Sequence, residues 1–319
     1  MGRSAEHRYA IGIDLGGTKT AGGLVDLHTG EVSHHVRVAT PTKGDGNDVA
    51  GIVVDMVRAI KASAETAGTR PAALGIGVAE LVGPDGAVLS GYRIPWKGRD
   101  IAAEFSTLLP TTLEADVRAA AQAEARFGQG LTDFYFVSIG TGTSGVLVQN
   151  GRAYAGSRGA ALVIGNGPSR HRCPSCGHVD CLIVEDIASG PGLAVAYGAG
   201  SHAEDVLVAA ASGDARATDV IAQATAELGR VLALLAGALN PQAVIIGGGL
   251  GAAPGIFHDR LKAAIMAGLW ADDDRALPIL RAATGVNAGV IGAALATLKT
   301  KEPEHRPVSS AKTREGVMQ

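Results

Sequence analysis

Cysteine is scarce in this chain of 319 residues: there are three, Cys173, Cys176 and Cys181, all inside one nine-residue window. An odd count packed so tightly makes no disulfide framework and reads instead as a metal-ligand cluster. Long apolar runs are missing too, since no charge-free stretch reaches the roughly 20 residues of a membrane span. The opening residues, MGRSAEHRYA, lack the apolar segment of a secretory signal, which predicts a cytoplasmic protein. No dense Lys/Arg run precedes the C-terminal tail and the formal charge is only −3, so nothing electrostatic points to nucleic acid. There is no G-x-x-x-x-G-K-[ST] segment, which excludes a P-loop, and no visible repeat with a period of about 20–50 residues. What is present is an ordinary soluble composition, 46% apolar and 18% charged, in a chain long enough for two lobes.

Residues 9–14 (YAIGID) read as a buried strand ending in the turn LGGTKT; 21–27 and 31–39 read as strands joined at Thr29-Gly30. Asp48 is placed to cap a helix over 49–67, where Ile52, Met56, Ala59 and Ile60 recur at helical spacing. Then come a strand over 73–78, turn chemistry at Pro84-Asp85-Gly86, a helix over 100–107, a strand over 111–115 and an Ala-rich helix over 117–127. The second half repeats the opening: strand 133–139 runs into a Gly turn and returns as strand 146–148. Beyond the Cys/His segment, helices are predicted over 185–198, 203–211 and 216–239, a strand over 243–247, and helices over 255–270 and 287–299. The tail over 300–319 is polar, holds two prolines and is predicted to be disordered.

Three Gly-rich turns follow apolar strands: Asp14-Leu15-Gly16-Gly17-Thr18-Lys19, Gly140-Thr141-Gly142-Thr143-Ser144-Gly145, and Gly247-Gly248-Gly249. Glycine lets backbone N–H groups close around an anion with no Cβ in the way. One such turn is commonly only a tight turn, but three, two of them with hydroxyl residues, favour a nucleotide. Gly140-x-Gly142-x-x-Gly145 formally matches the dinucleotide fingerprint, which requires a helix to begin inside the motif. Val146-Leu147-Val148 continues as a strand instead, so the turn is a β-hairpin and the dehydrogenase reading fails.

Together these features resemble the two-lobed, α/β, actin-like ATPase (ribonuclease H-like) fold of the hexokinase superfamily, and more narrowly the ROK family of bacterial sugar kinases. The resemblance runs from about Tyr9 to Leu298. It includes Pro95-Trp96-Lys97-Gly98, Asp116, Ala188-Ser189-Gly190, Asn240-Pro241 before the GGG turn, and the segment from Ala288 to Ala294. It implies an N-terminal lobe over 1–117, joined by the last helix over 287–299, and a C-terminal lobe over 118–286. It also implies ATP and Mg²⁺, a small-molecule sugar or cyclitol substrate, no nucleic-acid or membrane partner, and a homodimer. Asp116, which on sequence alone could merely cap a helix, becomes the general base. Asp14 becomes the carboxylate on the Mg²⁺ side, acting through water. Gly16, Gly17, Thr18, Lys19, Gly140, Thr141, Gly142 and Thr143 would surround the phosphates, and Gly247, Gly248 and Gly249 would lie near the adenosine.

The acceptor side departs from the family. Sugar-binding members carry Asn directly before the catalytic Asp, where this chain has Ala115, and their Asn ahead of the Pro/Trp segment falls on Arg93. Their Glu-x-Gly-His falls on Val163-Ile164-Gly165-Asn166. The Glu after the last cysteine persists as Glu185 if two residues are inserted after Leu182. A site built to hydrogen-bond hydroxyls discriminates by ~10⁴-fold or more when those partners vanish. Glucose is therefore not expected as the best acceptor, whereas a modified or amino sugar, or a C7 cyclitol with a primary hydroxyl, is. Glu80 and Arg93 are the candidate substitute contacts, alongside Ala115, Asn166 and Glu185. A non-catalytic sugar-sensing relative and a polyphosphate-dependent glucokinase stay open as alternatives.

His171-x-Cys173-x-x-Cys176-x-His178-x-x-Cys181 has thiolates and imidazoles at the spacing of a structural Zn²⁺ site. The family's zinc site is also three Cys and one His, although its cysteines read C-x-C-x₄-C and its His falls on Asn166. His171, Cys173, Cys176 and Cys181 are the expected ligands within a zinc loop over 166–185, with His178 the alternative to His171.

Overall fold

A computed structural model of the chain describes residues 8–41, 45–172, 179–198, 200–271 and 276–298, with the backbone alone for 169–172 and 179–180. The tail expected to be disordered lies outside the described residues.

The first half opens as an antiparallel meander of β1 (Tyr9–Leu15), β2 (Lys19–Asp26) and β3 (Val32–Ala39). After α1 (Asn47–Thr66), β4 (Ala73–Val78) lies parallel to β1; after α2 (Ile101–Phe105), β5 (Thr111–Ala115) lies parallel to β4. The sheet order is therefore β3-β2-β1-β4-β5. Residues Val53, Met56, Val57 and Ile60 of α1 are buried at helical spacing against this sheet. Gly46, at φ 86°, caps α1; Asp48 sits in its first turn rather than at the expected cap, where its charge still favours the helix dipole.

From β5 the chain enters α3 (Asp116–Phe127) and crosses to a second sheet. There β6 (Phe134–Ile139), β7 (Thr143–Gln149) and β8 (Arg152–Ala153) form another antiparallel meander. A separate ribbon of β9 (Pro168–Arg172) and β10 (Val179–Ile183) leads to α4 (Val184–Ile187), α5 (Gly190–Tyr197), α6 (Ala203–Ala211) and α7 (Ala215–Leu239). Then β11 (Ala243–Gly247) joins parallel to β6, and after α8 (Ile256–Gly268) β12 (Ile279–Arg281) joins parallel to β11. The order β8-β7-β6-β11-β12 repeats the first sheet strand for strand. The recurrence of strand, Gly turn and strand read from the sequence is thus a duplication of topology.

Two helical expectations are corrected. The helix expected over 185–198 is broken into α4 and α5, because Ser189 is extended (φ −129°, ψ 171°) and accepts the Gly192 N–H. With Pro191 next to it, this is an N-cap inside the run. The last helix is α9 (Ala288–Ala296), preceded by a 3-10 turn at Gly285–Asn287. It packs on the first sheet, backbone to backbone: a Cβ on Gly75 of β4 would sit 1.7 Å from the Ala293 carbonyl oxygen. Of the described helices, α7 is the one long and apolar enough to cross a bilayer, but its Ile221, Leu228 and Leu232 are fully buried against the second sheet and α8.

Candidate active site

The first Gly turn leaves β1 and returns as β2, closed by the Gly16 N–H on the Lys19 carbonyl at 3.1 Å. Thr40, just past β3, braces it from behind. Its hydroxyl donates to the Gly16 carbonyl at 2.8 Å and lies 2.8 Å from the buried Thr20 hydroxyl, while its N–H donates to the Thr18 carbonyl. Thr18 and Lys19 stay exposed.

The second turn is the β6–β7 hairpin, in line with the hairpin expected from the sequence. Its Gly140 carbonyl accepts the Gly190 N–H at 2.8 Å, so the start of α5 docks onto the turn. Thr143 faces inward: its hydroxyl donates to the Ala188 carbonyl at 2.7 Å and its N–H to Glu185 Oε2 at 2.8 Å. The third turn crosses the end of β6, with the Leu250 and Gly251 N–H groups both donating to the Ile139 carbonyl. Buried His258 donates from Nδ1 to the Gly251 carbonyl at 2.9 Å, which fixes its tautomer because a carbonyl only accepts. The first and second turns meet, with the Thr18 and Thr141 hydroxyls 3.3 Å apart.

Asp14 and Asp116 lie on neighbouring elements around Gly77, and Glu80 is close enough for its charge to act on Asp116. Asp14 shares a sheet rung with Ala21, Arg37 and Gly77. Its carboxylate lies on the first turn of α9: a Cβ on Gly289 would fall 2.4 Å from Asp14 Cγ. Burial pushes the Asp14 carboxyl up to about 6, against the opposing pull of Arg37. Asp116 opens α3 and accepts the Val117 N–H at 2.7 Å. Burial, then the negative charges of Asp14 and Glu80, push it up to about 7, against the Val117 hydrogen bond and the charge of Arg118. Such a carboxyl is balanced between proton acceptor and donor near neutral pH, as a general base needs to be. The Asp14 carboxylate makes no hydrogen bond with the described residues, and a free hard-oxygen donor of that kind fits Mg²⁺ held through water.

Of the residues expected to meet the acceptor, buried Glu80 is engaged from within. Its Oε1 accepts the backbone N–H groups of Arg93 and Ile94 and its Oε2 accepts the Ser90 hydroxyl, so it shapes the 90–94 loop. Arg93 is exposed, and its aliphatic stem runs along Gly17 of the first turn, 3.6–3.9 Å from where a Cβ there would lie. Ala115 is fully buried at the end of β5. Glu185, besides holding Thr143, donates its N–H to the Gly165 carbonyl at 2.9 Å, which brings the 163–166 segment against the second turn. Val163 is 45% exposed and Asn166 is exposed.

Of the expected zinc ligands, Cys173, Cys176 and the side chain of His171 lie outside the described residues, as does His178. Cys181 is an exposed free thiol on β10. The ribbon pairs Arg172 with Val179, closing the ends of the Cys loop, and pairs Asp180 with His171.

Sequence reasoning missed Thr40, His258 and a buried ion pair of Arg118 with Glu114 (2.6 Å), two residues to either side of Asp116. Thr40 and His258 answer to backbone carbonyls outside any periodic spacing, and although the ion pair is at i,i+4, the other acceptors of Arg118 lie 36 and 41 residues away.

Comparison with known proteins agrees with this geometry. The chain is 29% identical over 301 residues to the N-acetylmannosamine kinase of Escherichia coli O1:K1, covering 89% of this chain and 97% of that protein. Among solved structures, a ROK family glucokinase from Streptomyces griseus, in complex with glucose and AMPPNP, superposes with a TM-score of 0.78 at 29% identity, over 91% of this chain and 100% of that one. The ROK hexokinase from Thermus thermophilus gives 0.70 at 29% identity, over 90% and 97%. The two repeated sheets are those of the actin-like ATPase fold. The ROK family profile matches residues 10–300, and this chain belongs to the ROK family.

Proposed function

We propose that the protein is a cytoplasmic, ATP-dependent kinase that phosphorylates a primary hydroxyl of a modified sugar or C7 cyclitol, with Asp116 as general base. The observation that supports this reading is Asp116, a carboxyl raised to about 7 near Asp14 on the strand that enters the first Gly turn, which meets the second turn through Thr18 and Thr141. The Asp116 carboxylate takes the hydroxyl proton as the acceptor oxygen bonds to the γ-phosphorus and the bond to the ADP oxygen breaks. Backbone N–H groups of the two turns, with Thr18, Thr141 and Lys19, hold the phosphates in line. Mg²⁺ bound with the nucleotide would neutralise phosphate charge on the Asp14 side.

Support for an altered acceptor comes from what the cleft side chains are. Val163 is open to solvent and cannot pair with a hydroxyl, and buried Ala115 offers none of the contacts of an Asn. Glu185 and Arg93 are the polar groups near the turns that an acceptor could meet, while Glu80 supports the loop that presents Arg93. The close Cys/His spacing and the paired ends of the Cys loop support a structural Zn²⁺ at Cys173, Cys176, Cys181 and His171.

The test is ADP release with glucose, N-acetylmannosamine and valiolone as acceptors, and with ATP or polyphosphate as donor. ATP-dependent phosphorylation of the amino sugar or the cyclitol is expected. Acceptor binding with no turnover would favour a sensor, and polyphosphate outrunning ATP would replace the donor.

A further inference from the structure

Arg118 is a charged residue with almost no access to water, 2% exposed, and each of its three guanidinium nitrogens has an acceptor. Nε donates to Glu114 Oε1 at 2.6 Å, Nη1 to the Gly159 carbonyl at 2.7 Å, and Nη2 to the Val82 carbonyl at 2.6 Å. Glu114 Oε1 also accepts the Ala115 N–H at 3.0 Å, so the ion pair grips the chain on both sides of Asp116.

The two carbonyls belong to different loops. Val82 lies in the small hairpin after β4, bridged to Val88, in the segment that begins with Glu80 and ends with Arg93. Gly159 lies in the loop after β8 that runs on to Val163 and Asn166. These are the two loops of the proposed acceptor side. They touch at Gly159, whose φ is +75° and where a Cβ would fall 2.2 Å from the Val82 carbonyl oxygen. A bare backbone contact between two carbonyl-bearing loops has no attraction of its own. The planar fork of Arg118 supplies it by donating to both carbonyls at once.

Building on the kinase reading above, we propose that Arg118 is a positioning residue that holds the two acceptor-side loops in register with Asp116. The phosphate turns are braced separately, by Thr40 behind the first and by Ala188 and Gly190 behind the second. Loss of the Arg118 fork therefore loosens acceptor binding and leaves nucleotide binding in place. Lysine, with a compact charge, cannot reach three acceptors in one plane and restores the function only in part.

The experiment compares Arg118→Met, Arg118→Lys and Gly159→Ala in the full chain, using the best acceptor among glucose, N-acetylmannosamine and valiolone. Arg118→Met is expected to raise acceptor KM by about 10–100-fold, as a displacement near 1 Å does, with ATP KM held within about twofold. Arg118→Lys falls between it and the parent. Gly159→Ala, which pries the loops apart while keeping the arginine, gives the same split between the two KM values. Amide hydrogen exchange of 155–165, where Ala161 and Leu162 N–H groups are bonded within the loop, should rise in both Arg118→Met and Gly159→Ala. An Arg118→Met protein with parental acceptor KM and parental exchange overturns the proposal. So does a parallel rise of both KM values with a lowered Tm, which marks a mere core contact. If the parent phosphorylates nothing in the panel, the kinase reading falls, and unchanged exchange at 155–165 is then the result that overturns the tie between the loops.

Discussion

The Thr18 hydroxyl lies 3.3 Å from the Thr141 hydroxyl, across 123 residues of sequence and from one sheet to the other. This is where the two halves of a duplicated topology meet, each contributing the turn after its own first strand. On the proposed kinase reading, two hydroxyls that hydrogen-bond each other would grip the same phosphate oxygens. Thr18→Val and Thr141→Val are each expected to raise ATP KM by about 3–10-fold, and the double variant no further, because groups in one network are not additive. Additive losses in the double-mutant cycle would separate the two roles.

Asp116 gives a prediction in both rate and stability. Asp116→Asn should lower kcat by ~10²–10⁴-fold with ATP KM retained, since the proton acceptor is gone and the turns are untouched. Its carboxyl is raised from 3.8 to about 7. Between those values the folded protein keeps a proton that the unfolded chain has released, so stability falls as pH rises through the window. Asparagine carries no such liability. The Tm advantage of Asp116→Asn should be absent near the low end of the window, grow through it, and level off above the folded pKa. A pH-independent difference between the two melting curves would contradict the burial of this group.

Activity should follow the same groups. With Asp14 raised to about 6 and Asp116 to about 7, kcat/KM is expected to climb between these values as both carboxyls ionise. An acid limb near the ordinary carboxylate range, below about 5, would exclude a buried carboxylate base.

How much of this was legible in advance follows from where each signal resides. The strands that enter the Gly turns, β1, β6 and β11, are apolar runs ended by glycines, and β4 is an apolar run of its own; these features are local, so all four were readable from sequence to within a residue or two. The strands β8 and β12 are too short, at two and three residues, for any alternation to show. The break at Ser189 was hidden because an apolar run continues on both sides of the cap. Hidden most deeply were the buried polar residues. Glu124 on α3 accepts the N–H groups of Ala283 and Thr284 and the Thr284 hydroxyl, 159 and 160 residues on, tying the outgoing crossing to the returning one. In sequence it is one more charge in an Ala-rich helix. Arg118 is hidden for the same reason.

Metal analysis of protein prepared without chelator should give about one Zn²⁺ per chain, and Cys176→Ser should lower both the zinc content and Tm. The segment that would carry the zinc leads through β10 into α4 and Glu185, which holds Thr143 of the second turn. Zinc removal is therefore expected to reduce activity as well as stability. Metal-free protein with unchanged Tm would refute a structural zinc.

The acceptor is the most exposed prediction. Where sugar-binding relatives have a Glu that grips the ring, Val163 stands open to solvent, 45% exposed, and it can neither donate nor accept. A hydroxyl pressed against it would lose its water without replacement, at a cost of ~1–3 kcal/mol. The acceptor should therefore lack a hydroxyl there or carry an apolar group, while still presenting a primary CH₂OH to Asp116. Valiolone-type cyclitols and amino or deoxy sugars meet both conditions. Restoring the missing partners should reverse the preference: Val163→Glu with Ala115→Asn is expected to raise kcat/KM for glucose and lower it for the cyclitol. The first measurement is kcat/KM of the parent for each acceptor, and glucose as the best by tenfold or more would mean that the 163–166 segment does not face the acceptor in the way that its contact with Glu185 suggests.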